Sequence, residues 1–216
     1  MVKAILEDRK LQTRRMLKVQ PQNSHYPFVD KIVRDWNHNF YGYSNDSDID
    51  IFSAGKCPFG IVDDILWIRE TWLESPSKNT ILYKADFPMM FHGTEWDPNE
   101  KVFLKESDYK WKPSIHMPKD IARIFLKVTN VRVERLQDIS EEDAIAEGVL
   151  KDVKIPVADF KTEIIYRDYT GNTAGCLDAR SSFMTLWKSV YGKESWNSNP
   201  WIWVIEFEKV ERPKNF

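Results

Sequence analysis

The sequence predicts an α+β fold built on one small curled sheet or barrel, and three observations predict it. Extended and helical stretches follow one another along the 216 residues without the strand–helix–strand rhythm of a parallel sheet. The β-rich run from Ile121 to Leu136 changes parity midway. Ile124, Leu126 and Val128 share one face, while Val131 and Val133 have the opposite parity, so a bulge or bend is expected at Thr129-Asn130, of the kind barrels use to curl. The last element, Trp201 to Val210, puts Trp201, Trp203, Ile205 and Phe207 on one face.

The remaining elements follow in order. Val2, Ile5 and Leu6 fall at i, i+3 and i+4, one apolar face of a short helix. Gln12 to Val19 reads as extended chain, closed by Pro21. Pro21 to Pro58 shows no period and reads as a long insertion. Ile65 to Trp72 and Thr80 to Ala85 read as strands, and Ala85 to Ile121 as a second excursion with little regular structure. Ser140 suits a helix N-cap, Asp143 the N3 position of a capping box, Gly148 the C′ position, and Ile139 a staple against Ala144. Val149 to Arg180 is a third excursion. Phe183, Leu186, Trp187, Val190 and Tyr191 then fall at i, i+3, i+4, i+7 and i+8, the strongest helical pattern in the chain, and Gly192 ends it. The expectation is three helices and a single domain over residues 1–216, with irregular insertions near 21–58, 86–118 and 149–180.

Composition excludes several classes. Thirty-one basic residues stand against 33 acidic ones, a net charge of −2, which argues against a protein that coats nucleic acid. No apolar run approaches the ~18 residues of a membrane span. Charges at Lys3, Glu7, Asp8 and Arg9 occupy the place where a signal peptide needs apolar residues, so a cytoplasmic protein without membrane contact is expected. Cys57 and Cys176 make no disulfide framework. With His25, His38, His92 and His116 they form no metal-ligand spacing, and no glycine-rich phosphate loop or Gly-x-Ser-x-Gly elbow exists, so neither metal nor cofactor is expected.

Nine tryptophans invite a base-stacking reading. Trp67, Trp187, Trp201 and Trp203 lie in apolar periodic runs and read as core, whereas Trp36, Trp96, Trp111 and Trp196 lie in polar excursions and are candidates to face a ligand. Charge is segregated. Residues 1–18 hold Lys3, Arg9, Lys10, Arg14, Arg15 and Lys18 against Glu7 and Asp8, while Asp138 to Glu147 is acidic. In a strand starting near Leu11, Leu11, Thr13 and Arg15 share a face and Arg14 takes the other. Glu147 is misplaced, because a helix C-terminus disfavours an anion by roughly 0.3–1 kcal/mol.

Arg9-Lys10-x-x-Thr13-x-Arg15 resembles the Gly-x-Lys-x-x-Glu-x-Arg motif of the ASCH domain, a PUA-like β-barrel associated with RNA. Further segments resemble phage- and prophage-borne members: Cys57-Pro58-Phe59-Gly60, Asp64 to Trp72, Pro113 to Pro118, Val131 to Gly148 and Asn199 to Phe207, about half the chain in order. Asp8 stands where the motif has glycine, and Thr13 where it has glutamate. The threonine variant is similar to a bacterial subgroup that hydrolyses N4-acetylcytidine. Carried over by position, that resemblance implies a catalytic set of Lys10, Thr13 and Glu147. Arg15, whose planar fork of donors suits a base carbonyl or a phosphate, is expected to bind substrate together with Trp67 and Arg69.

Amide hydrolysis needs a nucleophile, a proton carrier and stabilisation of an oxyanion. A threonine hydroxyl attacks only when a base takes its proton, and a lysine is that base only when neutral. Glu147 would protonate the leaving amine or hold a water. Threonine attack and activated-water attack both remain open at this point. The expected function is a metal-independent amidohydrolase of N4-acylated cytidine or cytosine nucleosides, its partner a small modified nucleoside. The alternative is a non-catalytic module that binds RNA or modified nucleotides.

Overall fold

The computed structural model describes residues 1–20, 31–44, 47–75, 80–87, 89–92, 101–104, 110–154, 163–171 and 174–214. In chain order they form α1 (Val2–Leu6), β1 (Gln12–Met16), β2 (Lys31–Arg34), β3 (Asn39–Ser44), β4 (Ser47–Lys56), β5 (Ile65–Trp67), β6 (Trp72–Glu74), β7 (Ile81–Tyr83), β8 (Met89–His92), β9 (Lys101–Leu104), β10 (Phe125–Arg135), α2 (Glu141–Ala146), β11 (Lys151–Lys154), β12 (Glu163–Tyr166), α3 (Ala179–Tyr191), α4 (Lys193–Asn197) and β13 (Trp201–Val210). The fold is α+β. The chain divides into two compact units: Met1, Lys3–Asp64 and Lys127–Glu208 form the first, and Val2, Ile65–Leu126 and Lys209–Phe216 the second. No helix among the described residues is long and apolar enough to cross a membrane.

The first unit is organised by β13, which lies between β1 and β10. β1 runs antiparallel to it, with Gln12 opposite Glu206 and Met16 opposite Ile202. The expected alternation of β13 has one face buried, yet Trp201 through Ile205 are all buried. Both faces are covered. Ile202 and Val204 join Leu136, Ile139, Ala144, Val149, Ala179, Phe183 and Trp187 in one cluster, and Phe40 of β3 meets Trp203 edge to face at 4.8 Å. In β10 the parity change is present: Val128 and Val131 are buried, and Thr129 between them is exposed.

The caps form as their residues dictate. Ser140 Oγ accepts the Asp143 N–H at 3.1 Å, and Gly148 takes φ +85° just beyond α2. Asp178 caps α3 by accepting the Ser181 N–H at 2.7 Å, and Gly192 ends it at φ +86°. Within α3, Phe183 and Trp187 are buried and Leu186 is half-buried, whereas Val190 and Tyr191 are exposed, so the predicted stripe is buried only over its N-terminal part. The short α4 directly after it was not anticipated.

The three stretches expected to be irregular carry strands. Within 21–58 lies the antiparallel sheet β2–β3–β4, and residues 21–30 and 45–46 are outside the described residues. Its β3–β4 register shifts at Phe40/Tyr41, Gly42/Tyr43 and Tyr43/Ser44, and such bulges erase the two-residue period by which a strand is read. Within 86–118, β8 and β9 pair as a hairpin, and within 149–180, β11 and β12 do the same. Lys151-Asp152-Val153-Lys154 has a single apolar residue, so no alternation in its sequence announces a strand.

In the second unit β6 and β7 pair with Trp72 opposite Tyr83, and β5 pairs with β10, whose first two residues belong to that unit. Trp72, Met117, Ala122 and Phe125 form its core. The expected strand from Ile65 to Trp72 is broken into β5 and β6 where Glu70 turns inward. Arg123 grips that buried carboxylate at 2.8 and 2.9 Å and Asp86 at 2.7 and 2.8 Å.

Candidate active site

The site begins at the turn from α1 to β1. Arg9 and Lys10 donate their backbone N–H groups to Ala4 O at 2.9 and 3.0 Å. Asp8 adopts φ +54°, a left-handed conformation that aspartate tolerates better than most residues.

Lys10 then pairs with the end of α2. Its backbone bridges Glu147, and the Leu11 N–H donates to Ala146 O at 2.8 Å. Gly148 makes this approach possible. A Cβ there would lie 3.0 Å from Lys10 Cβ and 3.1 Å from Ala4 Cβ, on a backbone whose φ already favours glycine. The Lys10 ammonium donates to Glu147 Oε2 at 2.5 Å and to Glu147 O at 3.0 Å. Lys10 is 7% exposed and Glu147 5%. The charge that looked misplaced at a helix end is therefore a buried counter-ion.

Arg14 is the residue that sequence reasoning placed on the less important face. It is 2% exposed and donates to Glu147 Oε1 at 3.2 Å, Glu134 Oε1 at 2.8 Å and Asp143 Oδ2 at 2.9 Å. Arg132 extends the network to Glu134, Asp143 and Glu206. β10 and α2 line up carboxylates under the inner face of β1, so the inward arginine is neutralised rather than expelled. Burial raises the Asp143 pKa, but the Arg14 and Arg132 guanidinium groups outweigh it and hold that carboxyl below its usual range. The signal for Arg14 was the charge segregation itself: the acidic 138–147 segment meets the basic N-terminal one.

Thr13 and Arg15 take the other parity of β1 and are half-buried. Among the described residues Thr13 makes no side-chain hydrogen bond. Arg15 donates to Arg14 O at 3.2 Å and meets no carboxylate. Lys10, Thr13, Arg14, Arg15 and Glu147 all border one cavity of about 550 Å³ in the first unit. Phe183, Leu186, Trp187, Val190 and Tyr191 of α3, with Leu150 and Tyr169, also line it. Trp187 and Tyr191 pack at 4.4 Å between ring centroids.

The other predicted ligand residues are not brought to this cavity. Arg69 lies over the Trp67 ring at 5.0 Å, and both belong to the second unit and line no part of it. Trp36 is 88% exposed, Trp111 packs edge to face on Phe87, Trp196 packs against the core cluster, and Trp96 is outside the described residues. Trp187, read as core, is both buried and cavity-lining. Sequence reasoning missed the α3 wall as part of a site because a 3.6-residue apolar stripe signals burial, not what lies beyond it.

Among the described residues no group of three or more His, Cys, Asp or Glu side chains is arranged to hold a metal ion. Chemically, the cavity presents a hydroxyl without a side-chain hydrogen bond among the described residues, an ammonium–carboxylate pair 2.5 Å apart, a guanidinium that meets no carboxylate among the described residues, and aromatic side chains of α3. No family model matches the chain, and no curated protein or solved structure matches it either.

Proposed function

We propose that the chain is a metal-independent amidohydrolase that removes the acyl group from N4-acylated cytidine or cytosine nucleosides, on a PUA-like barrel of the ASCH kind. One observation carries the reading. Lys10 just before β1, Thr13 within it and Glu147, more than 130 residues later, border the same cavity, with Lys10 and Glu147 2.5 Å apart.

The chemistry runs through that pair. The Lys10 ammonium passes a proton to Glu147, and the neutral amine takes the proton of Thr13 Oγ as the oxygen attacks the acyl carbonyl. The C–N bond then breaks. Glu147 gives its proton to the leaving N4, releasing cytidine and leaving the acyl group on Thr13. Glu147, now anionic, takes a proton from water as the water oxygen attacks the ester, and returns it to Thr13 Oγ as that C–O bond breaks, releasing the carboxylic acid and regenerating the hydroxyl. Arg15 anchors the substrate, and the α3 wall covers its apolar surface.

A second reading has its own support. Lys10 spends two donors on Glu147 and donates none to Thr13, an arrangement that a recognition pocket for modified nucleotides or RNA would also have. Incubation with N4-acetylcytidine, with cytidine release followed by chromatography, separates the two. Turnover is expected, with Lys10→Ala and Thr13→Ala each lowering kcat at least about a hundredfold. Normal binding of cytidine derivatives with no turnover by the unsubstituted protein would make the cavity a recognition pocket. Near-normal kcat in Thr13→Ala would make water the nucleophile.

A further inference from the structure

The charge balance of the cavity points to the form in which the base arrives. Five basic side chains border it, Lys3, Arg9, Lys10, Arg14 and Arg15, against the carboxylates of Glu7 and Glu147. Three of these cations are already committed. Arg9 pairs with Glu7 at 2.5 Å, Lys10 with Glu147, and Arg14 with Glu134, Asp143 and Glu147. Arg15 is different. It is half-buried on the cavity wall, its one oxygen partner is the Arg14 carbonyl, and it meets no carboxylate among the described residues. A guanidinium on the wall of a largely apolar cavity favours an anion, because its planar fork of donors matches a phosphate.

The same cavity is bordered by Tyr191, 37% exposed and tilted 37° on the buried Trp187, an aromatic ring against which a pyrimidine can pack. The volume of about 550 Å³ falls within the roughly 300–1,000 Å³ of pockets that take one small ligand. A single uncommitted guanidinium matches a single phosphate. A nucleic acid strand needs a row of them.

Resting on the hydrolase reading, we propose that the substrate is the nucleoside 5′-monophosphate, an N4-acylated cytidylate, and that Arg15 binds its phosphate while the pyrimidine lies against the α3 wall. Arg15 is thereby the residue that selects nucleotide over nucleoside.

Calorimetric titration of the full chain with cytidine 5′-monophosphate, cytidine and inorganic phosphate tests this without requiring turnover. The monophosphate is expected to bind at least about tenfold more tightly than cytidine. Arg15→Gln abolishes that preference, lowering monophosphate affinity far more than cytidine affinity. Arg15→Lys, which keeps the charge but not the fork, retains part of it, and Lys18→Ala, at an exposed cation beyond β1, retains all of it. Melting curves confirm that each variant is folded. Equal affinity for the two ligands, a parallel loss of both in Arg15→Gln, or a ten-residue oligocytidylate that binds far more tightly than the monophosphate would overturn the proposal. Hydrolysis assays on N4-acetylcytidine and its 5′-monophosphate separate the two readings. Equal kcat/KM for both leaves a hydrolase and removes the phosphate site. No hydrolysis of either, with the Arg15-dependent preference intact, removes the hydrolase and leaves the phosphate site.

Discussion

Replacing Glu147 with glutamine changes one buried atom and removes one charge, and its cost follows from the partners left behind. Lys10 has a single carboxylate partner, Glu147, and its other contact is the backbone oxygen of the same residue at 3.0 Å. In Glu147→Gln an ammonium that is 7% exposed has no counter-ion, and it shares the region with the buried Arg14 guanidinium. Breaking a buried pair in this way costs about 3–5 kcal/mol. Lys10→Met is milder, because Glu147 keeps Arg14 at 3.2 Å and the flexible apolar chain fills the vacated volume, so about 1–2 kcal/mol is expected. The double variant restores charge balance and should be more stable than Glu147→Gln alone. For a chain of this size each kcal/mol moves Tm by about 2–4 °C, so Glu147→Gln should melt roughly 6–20 °C lower. Urea unfolding of the three variants and the unsubstituted protein, followed by circular dichroism, gives the cycle. A Glu147→Gln that loses less than Lys10→Met, or a double variant no better than Glu147→Gln, would refute the argument that Lys10 depends on this carboxylate.

Three further outcomes are expected. Gly148→Ala should destabilise by about 1–3 kcal/mol in the same assay, since it combines a positive φ with a Cβ 3.0 Å from Lys10, and Gly171→Ala, whose Cβ meets nothing, should cost less. Asp143 is held below the usual carboxylate range, so its contribution is fully present above the unfolded value of about 3.9 and is lost as pH falls through the lower folded value; Asp143→Asn should flatten the acid limb of the stability curve. Burial pushes the Cys57 thiol up to about 11 and raises Cys176 as well, so a disulfide-exchange reagent at pH 8 should label both slowly in the native protein and rapidly in urea.

Legibility in the sequence followed the strength of local periodicity. The α3 stripe, both helix caps and the parity change of β10 were readable because each is written within a dozen residues. The strands at 31–56 were not, because bulges remove the alternation that announces a strand. The two-sided burial of β13 was hidden for a related reason: Ile202 and Val204 are covered by helices far away in sequence. In the site, Glu147 was visible as a charge at the wrong end of a helix. Arg14 was not, since strand parity alone assigns an arginine to a face without saying that Glu134, Asp143 and Glu147 wait there. The ASCH resemblance supplied Lys10, Thr13 and Glu147 as a set, whereas local pattern supplied only their separate positions.

The pairing of β1 with β13 has a consequence for how the protein is made. Thr13 lies opposite Ile205, so the strand bearing the candidate nucleophile leaves the ribosome long before the strand that completes its ladder. Until then β1 is an unsatisfied edge carrying Arg14, with Lys10 just before it, and the acidic partners at β10 and the end of α2 are themselves still to come. Contacts of such sequence separation slow folding and lengthen exposure to misassociation. The cavity is thus among the last features to form during synthesis, and a nascent chain stalled before residue 201 would carry every candidate catalytic side chain without the strand that holds β1 in place.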